Sequence, residues 1–338
     1  MRAFEYVRAA SVAEAVGALR DDDEAQFLGG GTNLVDLLRL GVARRGRLVD
    51  VSGLPLDTVQ DGPDGLRIGA AVRNSDLAAH PAVRRDYPAL SQALLAGATG
   101  QLRNMATTAG NLLQRTRCLY FQDVTKPCNK RVPGSGCPAR QGVHRDLAVL
   151  GTSEACIATH PSDMAVALAA LDATVLTTGP AGDRTLALDD FHRLPGDEPD
   201  RDTVLQHGEL VTAVQLPPPS PLSSSSVYRK VRDRASFAFA VGSVAAGLVV
   251  DGGTVVDVAL AFGAVAHRPW RARVAEAALR GGPATAAAFG AALDRELAAA
   301  TPLPDNAFKV PLIRAVAVAE LSRLAGLGTD GGRTEDGA

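Results

Sequence analysis

Apolar and polar positions alternate as in a short strand from Phe4 to Arg8, then recur at helical spacing from Val12 to Leu19. Ser11 with Glu14 makes a capping-box signature at the start of that helix. Gln26 to Leu28 reads as a strand entering Gly29-Gly30-Gly31-Thr32-Asn33, after which Leu34, Leu37, Leu38 and Val42 return to helical spacing. Arg47 to Val51 and Leu66 to Ala71 read as further strands. This β-α-β-α-β opening favours a mixed sheet with helices packed on it. Asp76 to Ala79 and Ala89 to Ala96 read as short helices, and Gln101 to Asn111 as a polar loop. Ser162 can cap a helix from Met164 to Leu171, and Thr174 to Thr178 and Glu209 to Leu216 read as strands.

Both periods disappear between Thr116 and Gly142, where the chain is rich in Lys, Arg, Pro and Gly. A second break falls at Pro217 to Ser226, with Pro217-Pro218-Pro219, Pro221 and Ser223 to Ser226. That stretch marks a linker, since it suits neither a helix interior nor a central strand. Beyond it, Val227 to Val231, Ala238 to Val250 and Thr254 to Phe262 read as antiparallel strands, turning at Asp251-Gly252-Gly253. Helices follow at Arg271 to Leu279, Ala284 to Ala299 and Asn306 to Leu324, and residues 326–338 read as a disordered tail.

Composition narrows the classes. The 338 residues are 46% hydrophobic, enough for a sizeable core. Lys plus Arg number 35 against 37 Asp plus Glu, a net charge of -2, which argues against a general nucleic-acid partner. Met1 to Ala10 lacks the apolar core of an export signal, so a cytoplasmic location is expected. The apolar run from Phe237 to Val250 is broken by Gly242, Ser243 and Gly247 and is too short to span a bilayer.

Two segments suit a diphosphate. Glycines at 29–31 stand between a strand and a helix, where backbone N–H groups can meet phosphate oxygens. Thr107-Thr108-Ala109-Gly110-Asn111-Leu112 repeats the Gly–Asn–Leu theme and could grip the same group from the other side. A plain tight turn fits each segment equally well. Asp163, in His160-Pro161-Ser162-Asp163, could accept from a ribose hydroxyl or complement a helix N-terminus. Lys230 lies in a basic run that would ordinarily be a solvated face.

All four cysteines, Cys118, Cys128, Cys137 and Cys156, fall in the aperiodic region, with 9, 8 and 18 residues between them. Two disulfides, a structural zinc and an iron–sulfur cubane all remain open on these residues. The spacing lacks the close pairs usual for zinc, and a cubane accepts wider intervals. Arg117, Lys126, Lys130 and Arg131 would offset a cubane's negative charge.

Together, Gly29 to Leu34, Gln101 to Asn104, Gly110 to Cys118, the segments around Cys128, Cys137 and Cys156, His160 to Asp163, Lys230 to Ser236 and Ala266 to Trp270 resemble the FAD-binding medium subunit of the xanthine dehydrogenase and molybdenum aldehyde oxidoreductase family. The likeness is strongest to the branch with an extra [4Fe–4S] cluster. It implies an α+β protein: a two-part FAD-binding domain of the vanillyl-alcohol-oxidase (PCMH) type over 1–216, an iron–sulfur insertion at 115–160, a linker at 217–226 and a small α/β C-terminal domain over 227–325. It further implies that Leu28, Gly29, Gly30, Gly31, Thr32, Asn33 and Leu34, with Thr107, Thr108, Gly110, Asn111 and Leu112, hold the pyrophosphate and ribityl chain of FAD. Asp163 would meet the adenosine ribose, and Val211 and Lys230 the isoalloxazine, where Lys230 would stabilise a reduced flavin. Cys118, Cys128, Cys137 and Cys156 would hold the cluster, as a staple for the loop rather than an electron relay.

The implied partners are a large molybdopterin-binding subunit, where an aldehyde or N-heterocycle is oxidised, and a small subunit with two [2Fe–2S] clusters. Such relatives can leave the cytoplasm attached to a signal-bearing partner. A stand-alone FAD oxidase and a zinc-stapled interaction subunit are the competing readings.

Overall fold

The computed structural model describes residues 1–20 and 22–327. The expected tail of residues 326–338 therefore lies, from residue 328 onward, outside the described residues. Three sheets organise the chain. The first is parallel, in the order Glu5–Arg8, Arg47–Asp50, Ala25–Leu28. Helix Val12–Arg20 covers it through Ala15, Val16 and Leu19. Ser11 Oγ accepts from Glu14 N at 3.1 Å while the Glu14 carboxylate accepts from Ala10 N at 2.9 Å, so both signature residues cap this helix.

The second sheet is antiparallel: Val59–Gly62, Gly65–Gly69, Leu210–Leu216, Thr174–Gly179, Gly182–Ala187. Both outer strands escape sequence reading for one reason. Each is an edge strand with mostly exposed positions, so neither has a buried face to impose alternation. Helices Pro88–Ala96 and Asp163–Ala170 pack against its neighbourhood and fill the main core with Leu90, Ala93, Leu94, Met164 and Leu168. Ser162 caps the second helix by accepting from Ala165 N at 3.0 Å.

The third sheet is also antiparallel, ordered Trp270–Arg271, Thr254–Gly263, Gly242–Asp251, Ser226–Val231. Helices Arg273–Leu279, Ala286–Leu297 and Lys309–Leu324 close over it.

Two expectations about irregular chain are corrected. Gln101 to Asn111 is not a continuous loop: Thr99 and Thr107 each cap a short helix, Gly100–Arg103 and Thr108–Leu112. The Pro/Ser linker also contains a helix, Pro221–Ser224, held by a reciprocal Ser220–Ser223 capping box. Proline at the first helical position needs no N–H partner, so a proline-rich stretch can open a helix even though it cannot continue one. Among the described residues, no helix is long and apolar enough to cross a membrane.

Candidate functional site

The glycine loop leaves the carboxyl end of Ala25–Leu28, beside Val51 and Ser52, which leave the neighbouring parallel strand. Ligands of parallel sheets gather at this end, where the backbone turns away and exposes its N–H groups. Gly31 has φ +75°, a left-handed turn that glycine makes without strain. Gly30 lies against the second loop so closely that a Cβ would stand 1.9 Å from the Met105 carbonyl oxygen. The backbone it meets is Met105 and Ala106, just ahead of the Thr107–Leu112 segment, and Gly29 faces the Thr107 side chain.

Cavities open on either side of this contact and share Thr32, Asn33 and Gly110 as lining. The larger, about 730 Å³, is lined by Gly29, Gly30, Gly31, Leu34, Thr107 and Val211, with Arg44, Arg45, Arg115, Lys126, Lys130 and Arg131 around it. The smaller, about 370 Å³, is lined by Asn74, Asn111, Asp163, Lys230 and the aromatic rings of Phe237 and Phe239. Asn74 is almost fully buried there, and its Oδ1 has no hydrogen-bond partner in the protein. Such an acceptor calls for a ligand donor.

Lys230 Nζ donates to Asp163 Oδ2 at 2.8 Å and to the Ala96 carbonyl at 3.2 Å, and the Tyr228 hydroxyl donates to Asp163 Oδ1. Burial, and then the Asp163 carboxylate, drive the Tyr228 hydroxyl well above its ordinary range, so it stays a donor. Asp163 and Lys230 lie side by side in the smaller cavity, whereas Val211 lines the larger one. Sequence cannot reveal that Asp163 and Lys230 meet, because they stand 67 positions apart on different layers.

Three of the expected cofactor residues line neither cavity. Thr108 is fully buried and donates its hydroxyl to the Val72 carbonyl at 3.1 Å. Leu112 is fully buried, and its carbonyl lies 3.2 Å from His160 Nε2 and 2.9 Å from His192 Nε2. Leu28 ends its strand behind the glycines, its carbonyl accepting from Val51 N at 3.0 Å. These residues frame the loops.

The paired histidines that meet the Leu112 carbonyl are kept neutral by burial. Burial lowers the His160 imidazole well below its usual range, with His192 adding to the effect, and burial lowers His192 to about 4. The unfolded chain, with histidines near about 6.5, therefore binds more protons than the folded chain between those values. Stability should be full above about pH 6.5 and should drain as the pH falls towards 4. Melting temperature against pH checks this, and His192→Asn should flatten the slope because an amide does not titrate.

The four cysteines converge on one small cavity and none is disulfide-bonded. Ala158 N points at Cys156 Sγ at 3.4 Å. Among the described residues no three His, Cys, Asp or Glu side chains stand at the spacing of a single metal ion. Burial pushes the thiols of Cys118 and Cys137 up and that of Cys156 to about 12, so a thiolate forms here only when a metal displaces the proton. Of the basic residues expected to offset charge, Lys130 alone favours a thiolate here, at Cys156. Arg131 braces the carbonyls of Tyr120 and Phe121 at 2.6 and 2.7 Å, and Arg117 stacks on Phe239 at 4.9 Å beside the smaller cavity. Lys126 lines the larger cavity, and only Lys130 reaches the cysteine site as well.

Two cavities that meet at Thr32, Asn33 and Gly110 give the site an elongated, two-ended form that suits a dinucleotide. The chain belongs to the family of FAD-binding domains in molybdopterin dehydrogenases, whose model matches residues 2–219; residues 226–315 match the CO dehydrogenase flavoprotein C-terminal domain. It is 54% identical over 316 residues to the aldehyde oxidoreductase FAD-binding subunit PaoB of Escherichia coli K12, covering 93% of this chain and 96% of that one. It is 29% identical to the glyceraldehyde dehydrogenase medium chain of Sulfolobus acidocaldarius, over 81% and 79% of the two chains. Among solved structures, quinoline 2-oxidoreductase from Pseudomonas putida 86 shares the fold, with a TM-score of 0.74 at 24% identity, covering 96% of this chain and 98% of that one.

Proposed function

We propose that this chain is the electron-transferring FAD subunit of a molybdenum hydroxylase that oxidises aldehydes, working with a large molybdopterin-binding subunit and a small subunit carrying two [2Fe–2S] clusters. The observation that carries the reading is the pair of cavities meeting at Thr32, Asn33 and Gly110, with the unpartnered Asn74 Oδ1 in one of them. The aldehyde preference rests on the likeness to the Escherichia coli subunit. The division into 1–216 and 227–325 domains is part of the same reading.

FAD, when bound, accepts electrons from one partner and delivers them to another. The chain's own residues hold and orient it. Backbone N–H groups of 29–34 would face the pyrophosphate where the two cavities meet, with Gly110, whose own N–H is held by Thr107 Oγ1, leaving room for its approach. Asp163 and Asn74 would offer acceptors to a ring placed in the smaller cavity, with Lys230 paired to Asp163 beside it. Arg44, Arg45 and the strand edge at Val211 receive the ADP half in the larger cavity. The four cysteines hold a [4Fe–4S] cluster, because wide spacing, four convergent thiols and backbone N–H groups aimed at sulfur suit a cubane better than a single ion.

Purified chain is expected to carry one FAD and four irons, and to copurify with both partners when the three are produced together. Aldehyde-dependent reduction of the flavin in that complex, followed by its visible absorbance, tests the function. A colourless chain that binds neither FAD nor iron would sink the reading.

A further inference from the structure

Resting on the reading above, we infer that the cysteine loop forms a wall of the cavity that takes the ADP half of FAD, so that filling the cysteine site and retaining the nucleotide are coupled through Asp202, a positioning residue. Lys126, Cys128, Lys130, Arg131, Val132 and Ser135 all line the larger cavity. Cys128 and Lys130 line the cysteine cavity too, so the wall between the sites is a single strand of chain. Residues 128–130 cannot shift without changing both.

This wall has little regular structure to hold it. Among the described residues between 113 and 162, helical structure is limited to Leu119–Gln122 and Pro138–Arg140. Its order comes from polar ties. Asn129 Nδ2 donates to the Ala155 carbonyl at 2.9 Å, and its Oδ1 accepts from Gly136 N at 2.7 Å. Ser135 Oγ accepts from Cys128 N at 3.0 Å. Cys128, Cys137 and Cys156 flank these contacts, so a cluster bound to them draws the same segments together.

One acid joins this wall to the glycine loop. Asp202 receives Lys130 Nζ on one oxygen and Arg115 Nε, at 2.6 Å, on the other. Lys130 also donates to the Pro199 carbonyl at 2.7 Å, and Arg115 Nη2 to the Asp200 carbonyl at 3.1 Å. Arg115 lines the larger cavity, and its backbone N–H is received by Asn33 Oδ1 at 2.9 Å. A continuous path therefore runs from Asn33 through Arg115, Asp202 and Lys130 to Cys128. The ordering cost of the wall falls on whichever ligand binds first, and the second binds to a wall already formed. Such a coupling is equal in both directions.

The experiment uses the full chain, with FAD, ADP and FMN as separate probes and two variants, Cys128→Ser and Asp202→Asn. Cys128→Ser is expected to weaken FAD and ADP about tenfold or more, equivalent to about 1.4 kcal/mol, while FMN, which needs only the smaller cavity and the loop contact, stays within about twofold. Asp202→Asn keeps all four cysteines and is expected to retain iron while losing ADP affinity by a similar factor. In the wild-type chain, saturating ADP should slow removal of iron by a chelator about tenfold, a readout that needs no variant. Equal ADP affinity in wild type and both variants, or iron loss indifferent to ADP, overturns the coupling while leaving the FAD reading intact. A wild-type chain that binds neither ADP nor FMN overturns the cavity assignment itself.

Discussion

Gly30→Ala should strip the chain of FAD while leaving most of its fold in place. The added methyl group would stand 1.9 Å from the Met105 carbonyl oxygen and 2.8 Å from its carbon. Both obstacles are backbone, so no side chain can swing aside. The Met105 carbonyl is itself held by Arg73 Nη1 at 2.8 Å, and the next residue's carbonyl accepts from Asn74 N at 2.9 Å. Relief therefore requires the loops to part at the place where they must close on the pyrophosphate. Overpacking of this kind costs about 1–3 kcal/mol, which corresponds to roughly fivefold to 150-fold in FAD affinity. Flavin absorbance per chain after gel filtration, and a titration with FAD, give the result. Gly17→Ala is the matched control: nothing lies within 4 Å of its new methyl group, and alanine favours the helix it occupies. If Gly30→Ala retained full FAD affinity, the loop contact would not be the grip.

Lys230→Met should act on both stability and redox poise. The Lys230 and Asp163 side chains are 3% and 9% exposed, so each neutralises a charge that would otherwise be stranded out of water. Removing one partner of such a pair costs about 3–5 kcal/mol, read as a shift in the denaturant midpoint. With the cation gone, the smaller cavity carries an uncompensated carboxylate. Negative charge disfavours adding electrons, so the midpoint potential of bound FAD should fall. Asp163→Asn should destabilise by a similar amount but shift the potential upwards. The double variant should recover part of the lost stability, as coupled neighbours do. Potentials that stay put in both single variants would remove the pair from the flavin's surroundings.

Much of this site can be read in the sequence, but chiefly its local parts. Three consecutive glycines between a strand and a helix announce a loop that something must approach closely, and Gly30 meets another backbone there. The capping serines, Ser11 and Ser162, sit where short-range hydrogen bonding puts them. What stays hidden is which distant residue each polar group will meet. Asp163 looks like a helix-start acid and proves to hold Lys230. Arg117 and Arg131 look like counter-ions for the cysteines, yet one stacks on Phe239 and the other braces backbone carbonyls. Asp202 lies in a Pro-, Gly- and Asp-rich stretch with no period, and its value comes only from the two cations that the fold delivers to it. Asn74 carries no motif, and what singles it out is an unpartnered buried acceptor on the wall of the smaller cavity.

The Asp163–Lys230 contact also bears on how such a chain can be inherited. The acid belongs to the segment matched over 2–219 and the amine to the segment matched over 226–315. Other bonds cross the same seam: Arg145 to Asp233 at 2.8 Å, and Arg271 to the Ala169 carbonyl. A recombinant that takes its front half from one relative and its back half from another would cut between residues that neutralise each other. Unless acid and amine are both present, the hybrid strands a charge in its own interior. The seam is visible as a junction of two modules, yet a hybrid across it keeps its interior neutral only when one parent supplies the acid and the other the amine.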